Sequence, residues 1–256
     1  MTNAKPISVL VTRPVHQAHN LARLIESRGW QAVRFPVLEI VPMPCSTGGF
    51  EKLERLQYFD CLIFVSANAV NFALQANNGK IAPFKQCKIA SVGKATARTL
   101  ESAGLVVDWV PNTGFDSEAL LAMPYFQNVE GRAFLIVRGE GGREKLADTL
   151  RERGATVEYW EVYQRIRPQS DVQPVVDLLK RRELSLITVS SGEALLNLVE
   201  MLGSYAKSEL MSVPLVVISE RMKYLAEDIG FKRIALASGP DDEAIVQKVT
   251  TVCNGE

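Results

Sequence analysis

The chain repeats itself, in the same order, at an offset of about half its 256 residues. The stretch VLVTRPVHQAHNLARLIESRGWQAVRFPVLEI (Val9 to Ile40) recurs as FLIVRGEGGREKLADTLRERGATVEYWEVYQR (Phe134 to Arg165). Arg13 thus answers to Arg138 and Gly29 to Gly154, since 138 − 13 and 154 − 29 both give 125. FDCLIFVSANAVNFAL (Phe59 to Leu74) recurs as LSLITVSSGEALLNLV (Leu184 to Val199), with Ser66 facing Ser190. IASVGKATARTLESAGL and LVVISERMKYLAEDIGF form a third pair, in which Gly104 meets Gly230. A period this long is a domain-sized module rather than one turn of a solenoid. The chain is therefore expected to contain two related modules, with a cleft between them as a candidate site.

Length agrees, since 256 residues give each module enough chain for its own core. Lys plus Arg equals Asp plus Glu at 29 each, so no global field collects nucleic acid or anionic lipid. An anionic ligand needs local recognition. Cys45, Cys61, Cys87 and Cys253 are scattered, without CxxC spacing, and read as small hydrophobes of a reduced, cytosolic protein rather than a disulfide frame or zinc site. The opening MTNAKPISVLVTRP lacks the apolar core of a signal peptide, and no stretch reaches membrane-span length. A cytoplasmic protein is expected.

Strands and helices alternate. In the first half, strands are expected at Ile7 to Val11, Gln31 to Phe35, Cys61 to Val65, Ile89 to Val92 and Val106 to Val110. In the second they fall at Ala133 to Val137, Thr156 to Trp160, Leu186 to Val189, Leu215 to Ile218 and Arg233 to Ala237. Between them, Ala18, Leu21, Ala22 and Ile25 recur at helical spacing until Gly29, and Leu195, Leu196, Val199 and Leu202 mark another helix face. Apolar strands joined by helical crossovers imply doubly wound α/β units with parallel sheets covered on both faces.

In such sheets ligands bind at the carboxyl ends of strands, where loops enter helices. The candidate loops are Thr12-Arg13-Pro14, Ser66-Ala67-Asn68, Ser91-Val92-Gly93-Lys94-Ala95-Thr96, Arg138-Gly139-Glu140-Gly141-Gly142, Ser190-Ser191-Gly192 and Ser219-Glu220. Their Ser, Thr, Asn and Gly residues are either ordinary helix caps or part of a set of backbone N–H donors for an anion. Six of them together suggest a ligand with several carboxylates or phosphates. Asn68 either binds a carboxylate or caps its helix. RGEGGRE is not a dinucleotide fingerprint, because Glu144 stands where G-x-G-x-x-G needs its third glycine, and there is no GK[ST] phosphate loop. A nucleotide-dependent enzyme is disfavoured on both counts. With His16 and His19 as the only histidines, a His-based triad or a histidine metal cluster is poorly supported, and both fit a solvated helix end.

VxVTRP near the start, FVSANAV, SVGKATA, LIVRGEGGRE with RGA one helix later, and EVYQR ahead of a proline resemble the uroporphyrinogen-III synthase family, over almost the whole chain. That resemblance implies two flavodoxin-like α/β domains joined by a pair of extended linker strands, with the active site in the cleft. The implied domains are 1–36 plus 167–256 and 42–161, with linkers 37–41 and 162–166. It implies a cyclising lyase that closes hydroxymethylbilane with inversion of ring D and loss of water, without a cofactor or metal. A monomer supplied by hand-over from hydroxymethylbilane synthase is implied as well. The substrate carries eight carboxylates and ionises readily at its hydroxymethyl carbon. Catalysis is then mainly positioning, for which effective molarities supply roughly 7 to 11 kcal/mol at best.

Residues that match between the halves, Arg13 with Arg138 and Ser66 with Ser190, suit a shared structural or anion-holding role. Those that break the match suit the chemistry, which acts on one end of the substrate. Tyr163 stands where Leu38 does, and Thr96 where Met222 does. The resemblance points to Tyr163 as the residue assisting departure of the hydroxyl, and to Thr96 as part of the site. A phenol can donate a hydrogen bond to a leaving hydroxyl, although an aromatic packed at a domain junction is the competing explanation for Tyr163. Relatives often carry a threonine pair where this chain has Ser219-Glu220-Arg221-Met222, so Ser219 alone keeps a comparable hydroxyl, and Glu220 is expected to face solvent. The main alternative is a non-catalytic two-domain protein that binds a polycarboxylate or tetrapyrrole.

Overall fold

The computed structural model describes residues 7–44, 49–114 and 116–255. Cys45 lies outside them. They fall into two compact units: unit 1 comprises the described residues up to Glu39 and from Ile166 onward, and unit 2 is Ile40–Arg165.

Unit 1 begins with β1 (Ser8–Val11), α1 (Val15–Glu26) and β2 (Gln31–Arg34). Unit 2 follows with β3 (Glu39–Pro42), α2 (Gly49–Glu54), β4 (Cys61–Phe64), α3 (Ala67–Ala76), β5 (Lys88–Ser91) and α4 (Lys94–Ser102). It continues through α5 (Ser117–Leu121), α6 (Pro124–Gln127), β6 (Ala133–Gly139), α7 (Lys145–Glu152) and β7 (Thr156–Ile166). Unit 1 is then completed by α8 (Gln173–Lys180), β8 (Leu186–Thr188), α9 (Gly192–Ser212), β9 (Leu215–Val217), α10 (Glu220–Ile229), β10 (Ile234–Leu236) and α11 (Asp242–Cys253).

The sheet orders are β10-β9-β8-β1-β2 in unit 1 and β3-β7-β6-β4-β5 in unit 2. The run β9-β8-β1-β2 in one therefore corresponds to β5-β4-β6-β7 in the other. The sequence repeat is real, but the two copies exchange their first strand-helix-strand segments. Each unit is built from the opening of one copy and the middle of the other.

Alternation along the strands sends side chains to two cores per sheet. In unit 1, Leu10, Ile187, Leu215 and Val217 pack with α8, α9 and α10, while Val9, Val11, Leu186 and Val216 meet α1 and α11. Ala18, Leu21, Ala22 and Ile25 are the buried face of α1, as their spacing predicts. In unit 2, Leu62, Phe64, Leu135 and Val137 face α3 and α4, and Ile63, Ala90, Phe134 and Ile136 face α5, α6 and α7. Each fully buried side chain of this size contributes roughly 1.5–3 kcal/mol. Thr12 Oγ1 donates to the Thr188 carbonyl at 2.8 Å, and Thr188 Oγ1 to the Leu10 carbonyl at 3.0 Å, which pins β1 to β8 where the loops begin.

Three expectations need correction or refinement. Val106–Val110 is not a strand. It makes an isolated bridge from Trp109 to Ala90, and Val106 is exposed. The Asp108 carboxylate accepts the Ile89 N–H at 2.9 Å, taking a donor that a regular ladder would use. The fifth place in the unit 2 sheet goes instead to β3, within the stretch expected as a linker. Leu196 is exposed, and the buried stripe of α9 is Leu195, Leu198, Met201 and Leu202. Finally, residues 162–166 form the end of the long strand β7, and the division between units falls at Glu39/Ile40 and Arg165/Ile166. Val37 belongs to the first core of unit 1, where its carbonyl accepts a hydrogen bond from Asn197 Nδ2 at 2.9 Å.

Candidate active site

The carboxyl edge of the unit 2 sheet carries the most specific arrangement. β6 and β7 pair regularly from Ala133/Thr156 to Arg138/Glu161, and then Gly139 pairs with Tyr163, so that Val162 is an extra residue. Such a bulge re-aims the side chains beyond it. Regular alternation would send Tyr163 to the face of Tyr159. The bulge turns it to the other core, beside Trp160 and Val162.

The Tyr163 ring is buried, with the Phe72 ring at 5.5 Å. It lies flat against Gly139, where a β-carbon would stand 2.4 Å from Cε2 and 2.5 Å from Cζ. Its hydroxyl is 3.3 Å from Ser66 Oγ, which also accepts the Ala69 N–H at 3.1 Å as the N-cap of α3. The serine that caps one helix thus holds a phenol near the end of a distant strand. A cavity of about 160 Å³ opens here, and its lining includes Arg138, Gly139, Gly141, Tyr159 and Tyr163. Arg143 and Arg165 line it too. They lie inside the motifs RGEGGRE and EVYQR, but sequence alone does not say which arginine in a motif is already paired.

Arg138 is one that is paired. It is buried, its Nη1 and Nη2 each 3.0 Å from Glu144 Oε1 and its Nε 3.3 Å from Glu161 Oε1, and its guanidinium lies 4.0 Å over the Tyr159 ring. Glu161 Oε1 also accepts the Gly141 N–H at 3.2 Å, tying the glycine loop to β7. The hydrogen bond from the Tyr159 hydroxyl, followed by that from Arg138, holds the Glu144 carboxyl below its ordinary range, while burial and then Glu144 hold the Tyr159 phenol above its own. Because the Glu144 value is depressed, its contribution to stability is present above the ordinary carboxylate range and is lost as pH falls through the lowered value. Arg138→Gln is expected to lower stability by about 2 kcal/mol in urea titration. That is less than for a fully buried pair, because Glu144 keeps half of its side chain in solvent. A change under about half a kcal/mol would show the network to be unimportant.

The other loop residues separate by unit. In unit 2, Ala67 and Asn68 open α3, and Asn68 is half-buried with no side-chain hydrogen bond among the described residues. Gly93 is the N-cap of α4, Lys94 is its exposed first residue, and Thr96 is buried in its first turn. Ser91 Oγ donates to the Gly93 carbonyl at 3.3 Å, shaping that turn. In unit 1, Ser191 caps α9 by accepting the Ala194 N–H at 3.1 Å, and Ser219 caps α10 by accepting that of Met222 at 3.3 Å. Ser190 is half-buried beside them, Gly192 is the first residue of α9, and Glu220 is exposed, as expected. Arg13 is ion-paired with Asp242 and donates to the Pro240 carbonyl at 3.1 Å, so its charge is also committed. His16 and His19 lie on the exposed side of α1.

The first turns differ in charge. α3 and α4 carry no acidic residue there, while α9 has Glu193, α10 has Glu220, and α11 has Asp242 and Glu243. Within unit 2 the helix starts of α3 and α4 are therefore uncompensated by acidic side chains, as is that of α1 in unit 1, and such ends suit carboxylates. Among the described residues, no helix is long and apolar enough to cross a membrane.

The family model described as uroporphyrinogen-III synthase HemD matches residues 19–247. The uroporphyrinogen-III synthase of Escherichia coli (strain K12) is 32% identical over 243 residues, covering 94% of this chain and 99% of that protein. That of Salmonella typhimurium (strain LT2) is 32% identical over 247 residues, covering 94% and 99%. Among solved structures, a mutant uroporphyrinogen III synthase from the extremely thermophilic bacterium Thermus thermophilus is 17% identical with a TM-score of 0.64, over 98% of this chain and 100% of that one. The Helicobacter pylori 26695 enzyme is 14% identical with a TM-score of 0.62, over 96% and 99%. These structures share the two-sheet α/β fold, and the sequence matches reach nearly end to end: the chain belongs to the uroporphyrinogen-III synthase family.

Proposed function

We propose that the protein cyclises hydroxymethylbilane to uroporphyrinogen III, inverting ring D and releasing water, in tetrapyrrole (heme and siroheme) biosynthesis. The observation that carries this most directly is the placement of Tyr163. Its hydroxyl stands 3.3 Å from Ser66 Oγ, on the wall of a cavity at the carboxyl edge of a parallel sheet. Tyr163 donates a hydrogen bond to the departing hydroxyl, the carbon–oxygen bond breaks, and the resulting cation is delocalised onto pyrrole nitrogen. The hydroxyl leaves as water once it gains a proton, and ring closure later returns a proton to solvent. The net change is loss of one water with no oxidation, so the chemistry itself calls for no redox cofactor.

At about 160 Å³ the cavity is smaller than the roughly 300–1,000 Å³ typical of small-ligand pockets, so it takes one end of the tetrapyrrole. Substrate carboxylates are received by the N–H groups opening α3 at Ala67 and Asn68, and by the Gly93–Thr96 turn with the Lys94 charge. Ser190, Ser191, Gly192 and Ser219 supply hydroxyls and amides in unit 1. Arg13 and Arg138 hold the loops rather than the substrate, because both are ion-paired. The two units act as the enzyme's two domains, in a cytoplasmic monomer that takes its unstable substrate from the enzyme producing it.

Incubation with freshly prepared hydroxymethylbilane is expected to give the inverted type III product in a saturable reaction. Type I product alone, at the spontaneous rate, would remove the enzyme assignment. Tight binding without turnover would favour a tetrapyrrole-binding protein.

A further inference from the structure

The loop arginines that the repeat brings forward, Arg13 and Arg138, are both neutralised by carboxylates of the chain itself. The cavity beside Tyr163 is nevertheless positively charged, because Arg143 and Arg165 line it, are exposed, and make no ion pair or hydrogen bond among the described residues. The Arg165 guanidinium lies 5.7 Å from the Tyr163 ring centroid, so it is already oriented toward the phenol face. Two of the three acidic groups nearby are already engaged, and the third does not line the cavity. Glu144 is engaged by Arg138 and Tyr159, Glu161 is engaged by Arg138 and the Gly141 N–H, and Glu140 is exposed with only its backbone N–H turned to the Tyr163 carbonyl. Two like charges around one small concavity repel one another until an anion enters.

We infer that Arg143 and Arg165 form a carboxylate-binding subsite that grips an acidic side chain of the pyrrole lying against Tyr163. The inference rests on the proposed function for the identity of the ligand, and on the cavity for its location. Guanidinium groups suit the task because their planar donors match a carboxylate's two oxygens. Holding that side chain sets the distance between the terminal ring and the phenol, so the pair governs affinity and leaves the intrinsic chemistry to Tyr163.

The test is Arg143→Gln, Arg165→Gln and the double variant, measured with hydroxymethylbilane for KM and kcat, and separately with uroporphyrin III as a stable octacarboxylate in a fluorescence-quenching titration. Each single change is expected to raise KM and the porphyrin Kd about fivefold, and the double change at least about twentyfold, with kcat at saturation within about twofold of wild type. Arg165→Lys is expected to recover part of the affinity by keeping the charge. Lys207→Gln removes the same charge from an exposed position of α9 and is expected to change neither constant. A double variant within about twofold of wild type in both assays overturns the subsite. The porphyrin titration keeps the two ideas separable: loss of binding in the double variant of a protein that makes no type III product would sink the enzyme and leave the subsite.

Discussion

Gly139→Ala is expected to lower kcat/KM about a hundredfold while the protein still folds. The new methyl would stand 2.4 Å from Tyr163 Cε2, so ring and loop must separate by an ångström or so. A displacement of that size at a reacting centre can cost about 10²-fold. The ring cannot move freely, because it is buried against Phe72 and bonded to Ser66. Overpacking of this kind costs about 1–3 kcal/mol of stability. The cause can be isolated by adding Tyr163→Ala: with the ring gone, the methyl has room, and the stability cost of Gly139→Ala should nearly vanish in a double-mutant cycle. An unchanged cost in that background would mean that the glycine is needed for some other reason.

Tyr163→Phe carries the second large effect, a fall in kcat of at least about tenfold with KM little changed. The substituted ring still fills the space against Gly139 and Phe72, so only the hydroxyl is lost. A positioned proton donor contributes typically about 10²–10⁴-fold. An effect as small as about tenfold, below that range, is allowed here because the departing hydroxyl is already activated by its pyrrole nitrogen. Losing the Ser66 hydrogen bond should cost about 0.5–1.5 kcal/mol of stability, so thermal melts must accompany the kinetics. A kcat equal to wild type would take Tyr163 out of the chemistry.

Much of this was legible in the sequence, because the relevant signals are local. The buried face of α1 follows from its spacing, the serine caps from residue type, and the corresponding strand runs of the two sheets from the repeat. What was not legible depends on partners far along the chain. Arg13 and Arg138 looked alike, as candidate anion holders, but Asp242 lies 229 residues from Arg13, and nothing local reveals that pairing. The bulge at Val162 is a register event between two strands, and it decides which core receives Tyr163. Val106–Val110 has the composition of a strand, yet Asp108 takes the Ile89 N–H with its side chain, so β5 remains the edge strand there and β3 extends the sheet at its opposite edge, beside β7. Arg143 and Arg165 became distinctive only when Arg138, the other arginine lining the cavity, was seen to be held by Glu144 and Glu161.

The proposed activity differs from the solution chemistry in one respect: the protein holds its substrate so that closure with inversion outruns spontaneous closure. The most direct measurement is the isomer composition formed with enzyme in excess over freshly made hydroxymethylbilane, quenched within one turnover. Every substrate molecule is then bound before it can close in solution. Essentially all of the product should be type III, whereas a predominance of type I under these conditions would contradict that activity.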